Sequence, residues 1–499
     1  MIAIVGAGAT GVACLIQLVI KLKVSRNKSD IEILLFDKTD FGPGLAYGTG
    51  ETGHLLNTRA RLMGIMPGEP MHFVEWMQTH EKDLQKSYPG LTIGPDSYPP
   101  RTLYGEYLSQ MLSEHRRFGE KAGIKVRLIK SAVNDADLSS TKQWSLITED
   151  GQQFTSDYLI LATGNPQPSA FGEIEHHANY ISSPWPTSRL LNSVRDKNAR
   201  VGVIGSSLTA IDSVISLVNN GHAGPICLFS KEGYLPRVQF RKEKEYERQV
   251  LTLGTIRKII RERGRQIRVV DLIRLFREEA ELASGQKIDW KLEDRAGKDA
   301  RDLLSQDLKQ AKEGESWFQQ ILYSLRYDAY SIWQLLNADQ KLLYTKWIKT
   351  FVDVNRHAIP LENGEKILKL FGTGQLLILG NSKDIEPTDD GFILKNAENR
   401  TWEADYIVNA AGPAALISKM DDMPLLRSLL EKELIEEYPA GGVLADTRTL
   451  QVLSPSKDQH NNLYAAGHPL LGLQLDVNAL WFNVEQVDLL TNDIISRLS

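Results

Sequence analysis

One short pattern occurs twice in the chain. Residues 2–11 read IAIVGAGATG, and residues 201–212 read VGVIGSSLTAID. Each is an apolar run that breaks at a turn of small residues and resumes as an apolar stretch of helical length. A strand, a small-residue turn and a helix in that order point to a parallel sheet covered by helices. In the first copy every glycine has a task. Gly6 makes the tight turn, Gly8 lets the backbone approach a pyrophosphate, and Gly11 lets helix and strand pack closely. The helix opening at Ala9 and Thr10 offers free N–H groups and a partial positive charge to phosphates.

A bare G-x-G-x-x-G is weak evidence, so its surroundings matter. A second buried strand, IEILLFD at 31–37, ends in an acid. Asp37, followed by Lys38, lies a little beyond the usual spacing and is predicted to bind the ribose hydroxyls of an adenosine. In the second copy Gly205, Ser207 and Ala210 stand where Gly6, Gly8 and Gly11 stand, with Ser206, Leu208 and Thr209 completing the turn and first helical residues. A serine in place of the middle glycine adds a hydroxyl that donates to a phosphate but crowds the closest approach. That suits a looser, exchangeable nucleotide. The strand PICLFSK at 225–231 ends in Ser230-Lys231, where an NADH site often places an acid. A cation there meets a 2′-phosphate, which predicts NADPH over NADH.

The duplication extends further. IKVRLI, QWSLIT and DYLILATG within 124–164 read as three strands with turns, and QLLILG, GFILKN and DYIVNAAG within 375–412 repeat the arrangement. Each closing strand begins Asp-Tyr and ends in a small-residue turn, at Thr163-Gly164 and at Gly412. The fold class is therefore predicted as α/β, with two Rossmann-like doubly wound dinucleotide-binding domains, strand meanders and a helical insertion. The expected boundaries are 1–170 plus 413–499 for the first domain, 171–240 plus 351–412 for the second, and 241–350 for a helical cap. Within that cap 269–283 places Val269, Leu272, Ile273, Phe276 and Ala280 at helical spacing, and 317–351 is rich in aromatics. Such stripes form core, a substrate pocket or a homo-oligomer interface.

This arrangement resembles the two-dinucleotide-binding-domain flavoproteins, which hold FAD in one domain and NAD(P)H in the other. NNLYAAGHPLLGLQLDVNALWF at 461–482 looks like the segment that returns to complete their flavin domain. Relatives usually carry Gly-Asp after that strand, whereas this chain carries Gly467-His468. FGPGLAYGTG and HLLNT within 41–58, PPRTLYGEYL at 99–108 and VNRHAIP at 354–360 are similar to a bacterial family of FAD/NAD(P)-binding proteins. Its better understood relatives are class B and N-hydroxylating flavin monooxygenases. The resemblance implies FAD and NADPH as cofactors, and Asn57 as a flavin-facing amide.

The chain's 499 residues carry a formal net charge of −5, which gives no general attraction to nucleic acid or anionic membranes. The basic run RKIIRERGRQIR at 257–268 is interleaved with isoleucines, as on a solvated helix face. The apolar first twenty residues mimic a leader, but a strand, a glycine turn and a helix explain them better, so a cytoplasmic protein is expected. The two cysteines, Cys14 and Cys227, form no CxxC pair, which excludes a redox dithiol beside a flavin. No HExxH or Cys/His cluster has metal-ligand spacing, and GSSL at 205–208 lacks the second glycine of a hydrolase elbow.

Four side chains are candidates for chemistry besides the cofactors. Arg101, after two prolines, is predicted on a stiffened loop, there to bind a carboxylate or phosphate or to stand exposed. Asn57 is the flavin-facing amide just named. Arg356 and His357 either reach a cleft, with the histidine as acid or base, or form a structural pair. Gly172, His176 and Tyr180 partly match the linker fingerprint of class B monooxygenases; an ordinary linker is the other reading. Flavin plus nicotinamide without a dithiol leaves a single-component monooxygenase acting on a small molecule with molecular oxygen, through a flavin C4a-(hydro)peroxide. A reductase or dehydrogenase with another acceptor, or a nucleotide-sensing flavoprotein, stands as the alternative.

Overall fold

A computed structural model describes the whole chain except residues 26–30, 52, 241–244, 291–294, 296, 315, 456–461 and 499. The first residues of the expected helical cap, 241–244, thus lie outside the described residues. The chain divides into one compact unit of residues 1–167 and 413–499 and a second of residues 168–412.

In the first unit the strands are β1 (Ile2–Val5), β2 (Glu32–Phe36), β3 (Lys125–Ile129), β4 (Val133–Leu138), β5 (Trp144–Thr148), β6 (Gln153–Ser156) and β7 (Tyr158–Leu161). The second unit holds β8 (Tyr180–Ile181), β9 (Val201–Ile204), β10 (Ile226–Phe229), β11 (Leu376–Leu379), β12 (Ser382–Pro387), β13 (Phe392–Asn396), β14 (Thr401–Ala404) and β15 (Tyr406–Asn409). The chain then returns to the first unit with β16 (Leu463–Ala465). The helices that matter below are α1 (Ala9–Val24), α2 (Arg101–Lys121), α3 (Leu208–Asn219), α4 (Leu253–Arg263), α5 (Val269–Ser284), α6 (Ala300–Glu313), α7 (Lys349–Arg356), α8 (Leu361–Thr373) and α9 (Leu480–Leu498).

Each unit is built on a five-stranded parallel sheet, ordered β16-β7-β1-β2-β3 in the first and β11-β10-β9-β15-β8 in the second. The sheets repeat one plan. β1 lies between β2 and β7 as β9 lies between β10 and β15. A three-stranded antiparallel sheet accompanies each, β4-β5-β6 and β12-β13-β14. This corrects part of the meander reading. IKVRLI and DYLILATG, and likewise QLLILG and DYIVNAAG, belong to the parallel sheets; only QWSLIT and GFILKN lie in the meanders.

The central strands are apolar because both faces are covered: all four residues of β1 and of β9 are buried. α1 packs on α9, where Gln17 Nε2 donates to the Val484 carbonyl at 2.7 Å and Lys21 pairs with Asp488 at 2.7 Å. In the second unit Leu304, Leu308 and Ala311 of α6 share one core with Val201, Val203, Ile226 and Val408. Part of the insertion is thus built into the sheet's own core. Among the described residues no helix is long and apolar enough to cross a membrane.

Candidate functional site

In the first unit the three neighbouring strands β16, β7 and β1 end in turns at Gly467-His468, Thr163-Gly164 and Gly6. Parallel α/β sheets bind ligands outside the carboxyl ends of their strands, so this edge is the place to look. Gly6 adopts φ +104°, and a Cβ there would lie 2.1 Å from the Ala162 carbonyl oxygen. A Cβ on Gly11 would lie 1.8 Å from the Gly6 oxygen. Both glycines are therefore demanded by the protein's own packing. Gly8 differs: its Cβ would meet only the Gly44 Cα at 3.5 Å, an ordinary contact. The space beside Gly8 is thus left open by the chain itself.

Gly8 also caps α1 with no side-chain hydrogen bond, and the first turn of α1 holds no acid. The amides of Ala9 and Thr10 face the positive end of the helix dipole without competition from a carboxylate. Asp37 braces this turn. Its Oδ2 accepts the Ala7 N–H at 2.8 Å, and its Oδ1 accepts the N–H and the hydroxyl of Thr39, each at 2.8 Å. Oδ2 retains capacity for a further donor. Lys38 is exposed.

Among the described residues, the buried polar atoms of this unit that have no hydrogen-bond partner include Thr163 Oγ1, His468 Nε2 and Asn483 Oδ1. Gly467 packs against Thr10, whose Oγ1 lies 3.2 Å from where its Cβ would be, and Asn483 Nδ2 lies 3.4 Å from the same Oγ1. Thr10, Gly467-His468 and Asn483 therefore meet at the start of α1. An unpaired buried polar group costs about 1–3 kcal/mol. Keeping such groups beside an open glycine cradle fits a polar, phosphate-bearing ligand, so the residues present fit FAD. Asn483 escaped the sequence reading, although its place among Leu480, Val484 and Val487 on the buried face of α9 was the available signal.

The second unit repeats the cradle with differences. Gly205 takes φ +102°, with the Ala410 oxygen 2.7 Å from its would-be Cβ. Ser207 is exposed at the start of α3 and its side chain makes no cap hydrogen bond. Ser206 and Ser230 face inward instead. Ser206 Oγ donates to the Tyr234 carbonyl at 2.5 Å and lies 2.9 Å from Ser230 Oγ, which accepts the Gly233 N–H at 3.0 Å. Their hydroxyls hold the loop that carries Lys231, whose side chain is 82% exposed and 3.8 Å from Glu232. Leu208 and Thr209 form the first turn of α3, and Gly164 and Gly412 each have open space where a Cβ would be.

The candidates for chemistry fall in different places. Arg101 is not on a loop: it opens α2, entered through Pro100 at φ −58° and ψ 144°. Proline at the helix entrance converts the expected stiff loop into a helix start. The Arg101 N–H donates to the His54 carbonyl at 2.7 Å and its Nε to the Leu55 carbonyl at 3.2 Å. Asn57 is half-buried on the adjoining stretch, where Leu55 bridges to Pro100, so the structure brings these two segments together. Arg356 and His357 end α7 in the second unit. Their side chains approach at 3.3 Å, and His357 Nδ1 lies 3.5 Å from Asp353. The buried member of that motif is Asn355, whose Oδ1 accepts Arg237 Nε at 2.5 Å. In the linker, Asn409 Nδ2 donates to Tyr180 Oη at 2.8 Å and to the Ala170 carbonyl at 2.7 Å, while His176 is exposed. Those contacts are structural.

Both thiols are buried, and burial pushes each up to about 12. Cys14 lies in α1 and Cys227 in β10, so neither is a thiolate near neutral pH. Among the described residues no group of His, Cys, Asp and Glu is placed to hold a metal.

Residues 3–166 match the model of a family described as FAD-NAD(P)-binding. No curated protein matches the chain by sequence. Solved structures match it end to end in fold. Ornithine hydroxylase from Pseudomonas aeruginosa is 14% identical with a TM-score of 0.58, covering 100% of this chain and 99% of its own. Ornithine N-hydroxylase from Kutzneria sp. 744, solved with reduced FAD, NADP+ and L-ornithine, is 12% identical with a TM-score of 0.60 at the same coverage. L-lysine 6-monooxygenase from Pseudomonas syringae is 16% identical with a TM-score of 0.57, covering 99% of this chain and 98% of its own. The chain thus matches an FAD-NAD(P)-binding family over residues 3–166 and shares, across its length, the fold of these flavin hydroxylases.

Proposed function

We propose that the protein is an FAD- and NADPH-dependent oxidoreductase that hydroxylates a small amino acid or amine with molecular oxygen. The observation that carries this reading is the repeated glycine cradle, once with an open Gly8 and once with Ser207, in a chain whose only thiols are buried and inert. FAD bound in the first unit would supply the oxygen-activating chemistry once NADPH has reduced it. The first turn of α1 and the Gly8 cradle bind the pyrophosphate, and Asp37 holds that turn in place while reaching the adenosine ribose. Ser207 and the first turn of α3 bind the nicotinamide dinucleotide, with Lys231 on its 2′-phosphate. Arg101 and Asn57 complete the flavin side, and Arg356 and His357 are the candidates for substrate contact in the second unit. The expected domains are those of the sequence reading, with FAD in the first and NADPH in the second.

The purified protein is expected to be yellow, with flavin absorbance, and to oxidise NADPH slowly alone. Addition of the right amine should raise oxidation and yield hydroxylated product. Colourless protein that takes up no FAD would overturn the reading. Equal turnover without oxygen, using a dye or quinone acceptor, would replace it with a reductase. Lys231→Glu should lower the NADPH-to-NADH ratio of kcat/KM by about tenfold or more, since removing one charge-assisted phosphate contact and adding a repulsive charge act together. An unchanged ratio would remove Lys231 from the site.

A further inference from the structure

Within the insertion, the helix Ala338–Trp347 turns an apolar row outward. Trp347 is 68% exposed, Leu343 45% and Leu342 41%. The inward side is held by other residues: Lys341 is buried with its Nζ 5.3 Å from the Trp333 ring, and the Tyr344 ring lies 5.2 Å from the same ring. Leu343 and Trp347 stand four residues apart and so share one face. The Ile348 N–H donates to the Tyr344 carbonyl at 2.8 Å and the Val352 N–H to the Ile348 carbonyl at 3.0 Å. The helical path therefore runs on into α7, where exposed Phe351 follows Trp347 by four more residues. No acid occurs from 340 to 352. Lys346 is exposed beside the row, its Nζ 5.1 Å from the Trp347 ring, and Lys349 pairs with Asp353. The row also adjoins a basic turn. Gln340, on the same side of the helix as Leu343 and Trp347, accepts the Val269 N–H at 2.9 Å. Val269 opens α5 directly after RKIIRERGRQIR. Arg263 and Arg265 of that run are engaged by Asp271, whereas Arg268 is exposed, as is Val270 next to it.

We propose that this face of the insertion docks on an anionic lipid surface, with Leu342, Leu343 and Trp347 entering the headgroup layer and Arg268 and Lys346 meeting the lipid charges. The inference does not depend on the cofactor reading. Charge selects the occupant. Residues 241–350 hold 23 Lys and Arg against 18 Asp and Glu, in a chain whose net charge is −5. The positive excess is thus confined to the insertion, and a negative surface attracts this part of the protein while repelling the rest. A single exposed leucine is ordinary, but a row of Leu and Trp edged by cations and free of acids has the composition of a helix lying in a membrane interface. The indole presents an apolar body with one N–H for the wet side, and the lysine stem lies along apolar surface with its charge in water. A twofold contact of this face with a second copy would instead set Arg268 and Lys346 near their own counterparts. The docking is peripheral and needs no helix to cross the bilayer.

Co-sedimentation of the full-length protein with vesicles tests this. The vesicles are phosphatidylcholine, alone or with about one third phosphatidylglycerol, and the bound fraction is followed against lipid concentration. Wild type should bind the anionic vesicles about tenfold more tightly than the neutral ones, and raising salt from about 0.05 to about 0.5 M should remove most of that difference. Leu343→Ala combined with Trp347→Ala should weaken anionic binding about tenfold. Arg268→Glu combined with Lys346→Glu should abolish the preference for anionic lipid. All four side chains are exposed, so the unfolding midpoints should stay close to that of wild type. If one pair lowers the midpoint, the other pair decides. Val24→Ala, at a residue 78% exposed in the first unit, should bind as wild type does. Wild type that ignores anionic vesicles would overturn the proposal, as would folded patch variants that bind like wild type or a matching loss in Val24→Ala. A wild-type dimer that the patch substitutions dissociate, with no binding to vesicles, would assign the face to a second copy of the chain instead.

Discussion

Gly8→Ala should give a folded protein that has lost its flavin. The backbone at Gly8 has φ −73° and ψ −172°, a conformation open to any residue, and the new methyl meets only Gly44 at an ordinary 3.5 Å. The cost to the protein itself is that of alanine at a helix N-cap, about 0.5–1 kcal/mol. The flavin-free unfolding midpoint should therefore stay within a few degrees of wild type. The methyl does occupy the space through which a pyrophosphate would approach the amides of α1, and the expected loss of FAD affinity is about a hundredfold or more. Gly11→Ala makes the contrast. Its Cβ would fall 1.8 Å from the Gly6 oxygen, backbone against backbone, and no side chain can give way. That clash should destabilise the first unit by more than about 3 kcal/mol and leave little folded protein to titrate. Fluorescence titration and thermal unfolding of both variants test the division of labour. Retention of FAD by Gly8→Ala within threefold of wild type would mean that this turn does not hold the pyrophosphate.

The two glycine loops were legible because a strand buried on both faces must be apolar throughout, and because the turn's geometry restricts residue choice at fixed spacing. The assignment of β3 to a meander failed for a related reason. β3 is the outer strand of its sheet, with Lys125 and Arg127 exposed and Val126 buried, so its pattern alternates as a meander strand would. An alternating run shows that one face is covered, not which strand lies alongside. The candidate site residues divide in the same way. Gly6, Gly11 and Gly205 were readable from local constraint, whereas Ser206 and Ser230 point inward because of a loop contact with Tyr234 that no short motif encodes. Half-buried Arg356 and exposed His357 stand out by residue type, while Asn355 beside them is the one that is buried and bonded to Arg237. The aromatic stretch was half readable: Phe318 and Trp333 are core, but Tyr327 and Trp347 are 68% exposed. α5 is the sharpest departure. Its buried residues include Asp271, Leu275 and Glu279, a row beside the expected apolar stripe, whose Leu272, Ile273 and Phe276 are only half-buried.

Those acids set the second large effect, which is on stability. Glu279 is fully buried. It accepts the Tyr246 hydroxyl at 2.6 Å and the N–H groups of Gln249, Val250 and Leu251 at 3.0, 2.7 and 2.7 Å. One carboxylate thus fastens the turn before α4. Burial pushes this carboxyl up, but the Tyr246 hydroxyl and the amides together outweigh it and hold Glu279 below its usual value. Asp271, bonded by Arg265 and also paired with Arg263, is held down to about 2. A carboxyl whose folded value is depressed contributes stability that is present above its unfolded value, near 4, and is lost as pH falls through the folded one. Glu279→Ala should therefore destabilise the second unit by about 3–5 kcal/mol at pH 7, since three amides and a hydroxyl lose their acceptor together. Glu279→Gln keeps the shape and one carbonyl acceptor but loses the charge, and about 2 kcal/mol is expected. The sign of the pH effect distinguishes an ionised acceptor from simple packing. Thermal midpoints at pH 7, 5 and 3 should show the gap between wild type and Glu279→Gln narrowing as pH falls, while Asp271, lower still, continues to hold in both proteins until about pH 2. A gap of constant size down to pH 3 would show that the turn is held by the shape of the side chain and not by its charge.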